Sequence, residues 1–490
     1  MTSVVLVNSG NDEGIGGNAN ENAYPPLGII SLGTVLEAHF GASVEVHLID
    51  CQVDTTDEAI SQIERLNPDI LGISMYSTSI KNTVRLSEAG KASNATVLLG
   101  NDHAAMHAET LFGGLTSIDY ICVADVGEDT IVPFVEFIRG ARELRDVPGL
   151  AYPEGSSVIR TPSIRERSLD RLPPPDRKLL AERYWQEYSS RFSRQNRRFR
   201  RFPADTRVST INRARGCAQY AKPCRYCGIA DLSVRFSGGD AFWADVRAAR
   251  DQIGATVLYE AFDSASSAPT ILEKWLDARP DDLNDVSFKM YAQAFESDER
   301  RVNLFRDLNV FCVNMGLDSG DDRVLKLLKG SRHSLQASKD ASIRYRDAGI
   351  EIYTSFVLLG LGSDDATRRS LDSTVEFAQW LAANSSVVSF DAALLYPDKS
   401  APIGALIWNP DAAETVCKEF GWTFIDIERL RHVSARYRDE IYIEPLVISE
   451  EFAWICRTDP VILHDYANIL KDMAESHHLN FGRSQGGPER

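Results

Sequence analysis

The sequence predicts an α/β protein with two successive parallel sheets and a mainly helical C-terminal region. Short apolar runs alternate with helical patterns over residues 1–145 and again over residues 207–405. Between these regions, residues 146–206 contain three consecutive prolines, Pro173–Pro175, whose fixed backbone excludes helix there. We therefore expect a doubly wound Rossmann-like domain over 1–145, a connector over 146–206, a partial barrel over 207–405 and helices over 406–490.

In the first region the apolar runs predict five strands, with helices between them and a last helix from about Asp129. Ligands of doubly wound sheets bind at the carboxyl ends of the strands. The residues that follow each strand are therefore candidates for a binding crevice. The predicted strands are Val4–Val7, Val44–Ile49, Ile70–Ser74, Val97–Leu99 and Tyr120–Val123.

The second region contains six strand–helix units, which suit a partial (β/α)6 barrel. In barrels of this kind the chemistry takes place at the carboxyl end of the strands. The predicted strands are Val208–Asn212, Thr256–Glu260, Val286–Tyr291, Val310–Met315, Glu351–Leu359 and Val387–Leu394.

The C-terminal region is rich in aromatic residues, most of which we expect in the core. The tail from Phe481 to Arg490 is expected to be disordered. The aromatic residues are Trp422, Phe424, Tyr437, Tyr442, Phe452 and Trp454.

The charge balance argues against a polyanionic partner. The chain has 53 basic and 70 acidic residues, a net charge of −17. One basic island, Arg191–Phe202, interleaves arginines with aromatic residues, and a solvated linker face explains it better than an RNA contact does. No apolar run reaches the roughly 18 residues that span a bilayer, and no cationic leader opens the chain. We expect a cytoplasmic protein that binds neither DNA nor a membrane.

Three cysteines, Cys217, Cys224 and Cys227, lie within eleven residues and form the most informative motif. Each thiolate can hold one iron of an iron–sulfur cluster, and three ligands leave a fourth iron open to another ligand. A structural zinc site needs four ligands, yet the nearest histidines in sequence are His107 and His333. Disulfides are disfavoured for a chain of this length that has eight cysteines and no secretory signal. We interpret the other five cysteines as core residues.

The cysteine segment resembles the cluster loop of radical SAM enzymes. A predicted strand runs into an Arg-Gly-Cys loop, two residues separate Cys224 from Cys227, and the aromatic Tyr226 precedes the last cysteine. Family members usually have three residues between the first two cysteines, whereas six separate Cys217 from Cys224 here. The resemblance implies a 4Fe–4S cluster whose open iron binds S-adenosylmethionine (SAM), and a 5′-deoxyadenosyl radical that abstracts hydrogen from a substrate carbon.

The first region resembles the cobalamin-binding domain that precedes the radical domain in one large subfamily. The matching segments are Pro25–Gly28, Gly72–Ser74 and Gly127–Thr130, and the proline-rich connector also recurs in that subfamily. Some positions differ: Gly100-Asn101 replaces a common Gly-Gly pair, and Met75-Tyr76 replaces small residues. No Asp-x-His-x-x-Gly element is present to supply a histidine to cobalt. The resemblance implies the fold, and two uses stay open: cobalamin binding, or a sheet that shapes the substrate site or docks a partner.

The resemblance also implies positions for SAM. Glu260, at the end of the second barrel strand, would hold the SAM amino group by a charge-assisted hydrogen bond. Asp318 and Ser319, in a Gly-Leu-Asp-Ser-Gly turn that Lys329-Gly330 closes, would lie near the adenosyl group. The cofactor-binding residues implied in this way are Tyr226, Glu260, Asp318, Ser319, Gly360 and Gly362.

Three reactions remain open at this point. The one we favour from the sequence is hydrogen abstraction from a polar metabolite, such as an amino-sugar precursor of an antibiotic or other natural product, followed by dehydration, deoxygenation or epimerisation. Glu260, Asp263 and Asp391 are its candidate catalytic acids. The alternative is cobalamin-dependent methylation of an unactivated carbon, and a more remote one is RNA modification. Each needs an electron donor such as a flavodoxin, a ferredoxin or a dedicated reductase.

Overall fold

The computed structural model describes residues 1–13, 23–164, 168–196, 202–228, 233–438, 440 and 443–482. These residues form two compact units. The first contains the described residues up to Ile211 together with Arg235–Thr256. The second contains those of Asn212–Val234 and those after Thr256. The contacts therefore group the proline-rich connector with the first unit.

The first unit is a three-layer α/β structure around one sheet. The strands of this sheet are β1 (Thr2–Asn8), β2 (Val44–Asp50), β3 (Ile70–Ser74), β4 (Thr96–Gly100), β5 (Tyr120–Cys122), β6 (Leu150–Glu154) and β7 (Ser157–Arg160). The unit also contains β8 (Arg207–Ile211) and β10 (Arg235–Phe236), which are not strands of this sheet. Its helices are α1 (Leu27–Phe40), α2 (Thr56–Leu66), α3 (Ile80–Ala92), α4 (Asp102–Met106), α5 (Ala108–Gly114), α6 (Glu128–Ile138), α7 (Glu182–Asn196) and α8 (Gly239–Ile253).

The sheet of the first unit has the strand order β2-β1-β3-β4-β5-β6-β7. Strands β1 to β5 are parallel, whereas β6 and β7 form an antiparallel extension. The strand order reverses at β1 and β3, and crevices for ligands form at such a switch point. The predicted Rossmann-like domain is confirmed.

Within the first unit, Arg177 anchors the proline-rich connector by a buried ion pair. Its guanidinium lies 2.9 Å from the Asp245 carboxylate, and both side chains are at most 1% exposed. It also donates to the Ser209 hydroxyl at 2.8 Å and to the Thr210 carbonyl at 2.9 Å. These bonds offset the free-energy cost of burying the guanidinium charge. They explain why the connector is packed into the first unit and is not a solvated linker.

The basic island is partly helical rather than a linker face. Its first residues, up to Asn196, belong to α7, where Phe192 is 2% exposed and Arg191 is paired with Glu187. Residues 197–201 of the island lie outside the described part of the chain.

The second unit contains the second parallel sheet and the C-terminal helices. Its strands are β9 (Ala214–Arg215), β11 (Ala255–Glu260, which begins in the first unit), β12 (Ser287–Tyr291), β13 (Val310–Asp318), β14 (Glu351–Leu358), β15 (Val387–Leu394) and β16 (Asn480–Gly482). Its helices are α9 (Pro269–Asp277), α10 (Glu299–Asp307), α11 (Asp322–Lys329), α12 (Leu335–Asp347), α13 (Asp364–Asn384), α14 (Gly404–Trp408), α15 (Ala413–Phe420), α16 (Ile427–Tyr437), α17 (Pro445–Ile455) and α18 (Pro460–Ser476).

Within the second unit the strands run in the order β16-β15-β14-β13-β12-β11, and all of these pairings are parallel. One face of the sheet is apolar and covered by helices, as shown by the ring contact between Phe356 of β14 and Phe377 of α13. The other face carries polar side chains, including Lys289, Asn314 and Ser389. Helices on one face and polar groups on the other are the arrangement of the predicted half-barrel.

The helical C-terminal region is confirmed, and its helices share one apolar core with Val324 and Leu328 of α11 and with Leu359, which follows β14. Trp422, Tyr437 and Phe452 belong to that core, and Phe424 packs against it. Trp454, in contrast, is 40% exposed, and Tyr442 lies outside the described residues.

The prediction that the tail is disordered from Phe481 is wrong at its start. Phe481 and Gly482 belong to β16 and pair with Phe390 and Asp391 of β15. This pairing satisfies backbone groups that a disordered tail would leave to water. Residues 483–490 lie outside the described residues. Among the helices of the described residues, none is long and apolar enough to cross a membrane.

Candidate functional site: the cysteine loop and the polar sheet face

The cysteine loop is a series of hydrogen-bonded turns. Cys217 is 5% exposed, and its carbonyl accepts from the Tyr220 amide at 3.0 Å. The Cys224 carbonyl accepts from the Cys227 amide at 3.0 Å, which makes the last turn. Cys217 and Cys224 interact electrostatically, so they share one local environment.

The expanded spacing between the first two cysteines is absorbed by a turn at Gln219. The Gln219 carbonyl accepts from the Lys222 amide at 2.8 Å. The Gln219 side chain accepts from Arg332, and the backbone N–H of Gln219 donates to the Cys217 sulfur at 3.4 Å. The additional residues therefore form an ordered turn, and the two halves of the loop remain close enough to interact.

Burial makes the thiols hard to ionise without a cationic partner. It raises the pKa of Cys217 to about 11, although the Gln219 amide opposes the rise. Burial also raises the pKa of Cys224, and the nearby Lys329 ammonium is the largest opposing influence. Bound iron would remove these protons, because a coordinating thiol is deprotonated outright.

Arg225 fastens the loop from its middle. Its guanidinium donates to the carbonyls of Leu327 and Phe420, each at 2.7 Å, and lies 4.4 Å from the centre of the Phe420 ring. Its own amide donates to the Leu328 carbonyl at 2.8 Å, and its carbonyl accepts from the Ile403 amide at 2.8 Å. The loop is therefore attached to α11 and to the C-terminal helices at one residue.

Tyr226, Asp318 and Lys329 form a buried chain of hydrogen bonds. The Tyr226 hydroxyl donates to Asp318 Oδ2 at 2.9 Å, and Lys329 Nζ lies 2.6 Å from the same oxygen. Lys329 also donates to the Gly316 carbonyl at 2.7 Å. Burial lowers the pKa of Lys329, but the neighbouring Asp318 carboxylate opposes this, and the pKa is raised overall. The ammonium is therefore retained beside the cysteine loop.

The backbone of β13 is shaped to make this contact. Its pairing with β14 shifts register between Gly316 and Asp318, and Asp318 has a left-handed φ of 57°. Bulges of this kind turn side chains towards a site, and a non-glycine residue in this region carries strain. A side chain at Gly316 would place its Cβ 3.2 Å from Asp318 Oδ1. Glycine therefore leaves room for the ion pair.

Glu260 was predicted to bind the SAM amino group. In the structure its carboxylate accepts hydrogen bonds from backbone amides of the chain itself. Its side chain is fully buried and accepts from the Arg213 amide at 3.1 and 3.3 Å and from the Ala214 amide at 3.4 Å. These amides immediately precede the cysteine loop. The carboxylate thus fixes the point at which the chain enters that loop.

The other two predicted acids lie in different surroundings. Asp263 follows β11, is exposed, and interacts electrostatically with Cys217. Asp391 lies on β15, in register with Ser355 of β14, and interacts with the buried Lys289 ammonium.

Ser319, Gly360 and Gly362 are used in packing. The Ser319 hydroxyl lies 3.2 Å from the Thr374 hydroxyl and accepts from the Asp321 amide at 3.1 Å. An added Cβ at Gly360 would lie 2.7 Å from the Thr458 hydroxyl, and one at Gly362 would lie 2.8 Å from Phe424. The Gly360–Gly362 turn is therefore tight against the helical region. Its role in binding SAM stays a prediction.

The polar sheet face carries a row of side chains in register that the sequence analysis did not identify. Tyr291, Asn314, Tyr353 and Ser389 are successive partners across β12 to β15. Within the described residues, Asn314 Nδ2 and the Ser389 hydroxyl have no hydrogen-bond partner, although Asn314 is 6% exposed and Ser389 is fully buried. Native proteins rarely leave such groups unsatisfied, so a ligand is a physical explanation for them.

Lys289 lies on the same face, one step towards the amino ends of the strands. It pairs in register with Cys312, and its ammonium lies 3.5 Å from the centre of the Tyr353 ring. Burial lowers its pKa. The polar alternation in β12 was the available signal, since Ser287 and Lys289 alternate with the apolar Phe288 and Met290.

In the first unit, the carboxyl ends of the central strands carry small residues. Ser74 of β3 is in register with Gly100 of β4, and no atom lies within 4 Å of a Cβ added at Gly100. Met75 is fully buried, so its side chain packs inside the unit rather than lining an open crevice. The two bulky residues that follow β3 therefore differ, since Met75 is buried inside the unit whereas Tyr76 is half-buried.

A single-ion site was the alternative use of the cysteines. Among the described residues, no three His, Cys, Asp or Glu side chains converge closely enough to hold one metal ion.

Two domain families match the chain. The B12 binding domain matches residues 16–133, and the Radical SAM superfamily matches residues 211–374. The second match contains the three cysteines, Glu260, Asp318 and Gly360–Gly362. The family implies a 4Fe–4S cluster and SAM.

A curated relative matches most of the length of the chain. This is the uncharacterized methyltransferase PH0819 of Pyrococcus horikoshii, which is 22% identical over 450 residues. The similarity covers 87% of this chain and 90% of the relative.

Two solved structures have a similar fold. One is the radical SAM methyltransferase TsrM from Kitasatospora setae, solved with cobalamin and a 4Fe–4S cluster bound. It has a TM-score of 0.65 at 16% identity, and the match covers 84% of this chain and 79% of the TsrM chain. The other is the cobalamin-dependent SAM radical enzyme OxsB, solved with aqua-cobalamin bound. It has a TM-score of 0.59 at 16% identity, and the match covers 85% of this chain and 56% of the OxsB chain. At these identities the comparison concerns the fold.

Proposed function

We propose that this chain, which belongs to the radical SAM superfamily and carries an N-terminal B12-binding domain, is a cobalamin-dependent methyltransferase of a polar small molecule. The observation that carries the proposal is the presence of a B12 binding domain in the same chain as the cysteine loop. The relative over 87% of the chain is also named a methyltransferase. The dehydration that we favoured from the sequence has no comparable support.

The cysteine loop fits a cluster. Cys217, Cys224 and Cys227 would hold it, and when bound it supplies the electron that cleaves SAM. Three other residues support the loop. Arg225 attaches it to neighbouring carbonyls, and Glu260 binds the backbone just before it. Lys329 keeps a positive charge near its thiols. No fourth side chain is required, since SAM would occupy the remaining iron.

The first unit fits a corrinoid at the Ser74–Gly100 edge. Gly100 leaves open space at the carboxyl end of β4, and Ser74 offers a hydroxyl beside it. Ligands of doubly wound sheets bind at this end. Ser74, Gly100 and Asn101 would hold the group, which when bound supplies a methyl carrier.

The polar sheet face fits a small polar substrate better than RNA. Asn314 and Ser389 offer unsatisfied hydrogen-bonding groups, and Asp391 lies one step towards the carboxyl ends. Hydrogen bonds to such groups discriminate strongly, because a substrate that lacks the partner leaves them unpaired. The net charge of −17 opposes a polyanionic substrate.

The test is anaerobic reconstitution with iron and sulfide, with and without hydroxocobalamin, followed by gel filtration and absorption spectra. SAM is then added with a reductant, and S-adenosylhomocysteine and 5′-deoxyadenosine are quantified by mass spectrometry. Methyl transfer predicts retained corrinoid and S-adenosylhomocysteine whose formation depends on it. Abundant 5′-deoxyadenosine with no retained corrinoid would instead return the dehydration reaction to first place.

A further inference from the structure

Gln293, two residues after the end of β12, directs its side-chain amide at the cysteine loop. Its Nε2 donates to the Cys217 sulfur at 3.7 Å. The two residues are 76 positions apart in sequence, so the contact is made by the fold of the second unit and not by the loop itself. The reaction proposed above gives Gln293 no role.

The Cys217 sulfur receives a second N–H group, from the backbone of Gln219 at 3.4 Å. Cys217 is 5% exposed, so water competes little for these donors. A thiol sulfur is a weak acceptor, whereas hydrogen bonds to an ionised acceptor are roughly twice as strong as neutral ones. Both bonds therefore strengthen when Cys217 binds iron as a thiolate.

The backbone of Gln293 is held on both sides by serine hydroxyls. Its N–H donates to Ser266 Oγ at 2.8 Å, and its carbonyl accepts from Ser297 Oγ at 2.8 Å. Both serines are at most 1% exposed, and the Ser297 hydroxyl also lies 3.0 Å from the Tyr345 hydroxyl. The position of Gln293 is thus fixed before any cofactor binds, which is what a residue that supports a functional site requires.

Only the nitrogen of the Gln293 amide is hydrogen-bonded within the described residues. The other atom, Oε1, is buried and has no hydrogen-bond partner there. Leaving a buried acceptor unsatisfied costs stability. Turning the amide over would place the carbonyl oxygen against the sulfur, and a thiolate has no proton to donate to it. The needs of a bound cluster, rather than those of the polypeptide alone, therefore account for this orientation.

We propose that Gln293 is a positioning residue of the cluster: its side-chain N–H donates to the Cys217 sulfur, orients that ligand and raises the reduction potential of the cluster. Reduction adds one electron from the external donor and increases the negative charge on the cluster sulfurs. An N–H group aimed at such a sulfur therefore stabilises the reduced form more than the oxidised form. Hydrogen bonds to the sulfurs are recognised determinants of cluster potential. The inference rests on the cluster of the proposed function, but not on the corrinoid or the methyl acceptor.

The experiment compares cluster potentials in the full chain by EPR-monitored redox titration without SAM. The main variant is Gln293→Met, which keeps the length of the side chain and removes the N–H donor. We expect its midpoint potential to become more negative by about 28 mV, a threefold change at about 59 mV for each tenfold change in the one-electron equilibrium. Gln293→Asn keeps an amide but is one methylene shorter, and it should shift the potential in the same direction.

Gln336→Met is the matched control, because Gln336 is an exposed glutamine of the second unit, and it should leave the potential unchanged. Equal potentials in Gln293→Met and the wild type would overturn the proposal. An unchanged potential with weaker SAM binding would overturn it as well, by assigning the amide to SAM. Failure of the wild-type chain to assemble a cluster would refute the proposed function instead.

A second readout tests the contact even if Gln293→Met holds no iron. The wild-type chain is prepared with ¹⁵N in its glutamine side-chain amides, and the reduced cluster is studied by pulsed EPR. A ¹⁵N coupling to the cluster supports the proposal, and in an iron-loaded Gln293→Met sample that coupling should disappear. A wild-type cluster with no such coupling would overturn the proposal.

Discussion

Arg225 and Phe420 are 195 residues apart in sequence and in direct contact in the second unit. The guanidinium donates to the Phe420 carbonyl at 2.7 Å and lies over the Phe420 ring. Arg225 stands between two of the three cysteines, whereas Phe420 ends α15 of the C-terminal region. The helical region is therefore part of the support of the cysteine loop.

The first prediction concerns this support. Arg225→Met should lower the iron content after reconstitution, because the loop loses charge-assisted bonds to two carbonyls that contribute about 1.5–3 kcal/mol each. Iron and sulfide assays with the absorption spectrum measure the effect. Arg323→Met, which removes an arginine whose side chain is 59% exposed, is the control and should retain full iron. Equal iron in both variants would contradict a role for Arg225.

Glu260 gives the second prediction. Glu260→Gln should reduce both cluster loading and SAM binding. The glutamine side chain keeps one acceptor oxygen, but its NH2 group cannot accept from the backbone N–H groups of Arg213 and Ala214. A charge-assisted bond of this kind contributes about 1.5–3 kcal/mol. Iron content and equilibrium SAM binding are measured on the same sample, with the exposed Glu299→Gln as control. Normal iron with reduced SAM binding would favour the direct contact with the SAM amino group that the sequence suggested.

The third prediction concerns the corrinoid. Gly100→Val should be tolerated by the fold, because the space around its Cβ is open, but should fill the space that a corrinoid needs. We expect corrinoid retention to fall about tenfold, or about 1.4 kcal/mol, at unchanged iron content. Gly113→Val, at another open position in the first unit, is the matched control. Retention that is insensitive to Gly100→Val would place the corrinoid elsewhere.

The fourth prediction concerns pH. Burial, together with Lys329 and Arg332, lowers the pKa of His333 to about 3, against an unfolded value near 6.5. The unfolded chain therefore binds a proton that the folded chain does not, and stability falls as pH decreases below 6.5 towards 3. His333→Phe should flatten this part of the denaturation profile, whereas the exposed His432→Asn should not. Parallel profiles for His333→Phe and the wild type would contradict the assignment.

Continuous apolar runs made the strands predictable. Strands β3 and β15 have the predicted bounds, because most of their residues are buried and each buried run ends where the strand ends. Helix α7 was missed because its charged residues suggested a solvated connector. Its signal was present all the same, since Tyr184, Tyr188 and Phe192 are spaced by one helical turn and all are buried.

Only part of the cysteine-loop site was predictable from the sequence, because most of its contacts join residues that are far apart in the chain. The cysteines are close in sequence, and local spacing is sufficient to identify them. The partners of Tyr226 and Glu260 are set by long-range contacts, and the left-handed Asp318 interrupts the alternation of its strand. Sequence patterns of period two or 3.6 contain no information on such contacts.

The pairing of β16 with β15 has a consequence for the order in which the chain is made. The C-terminal helices lie between these strands in sequence, so the outer edge of β15 stays open during synthesis until those helices have left the ribosome. An open edge strand is a template for pairing with other chains. Folding of the second unit thus requires synthesis to have passed Gly482, and shortened chains that end before Asn480 would expose Asp391 and its strand to aggregation.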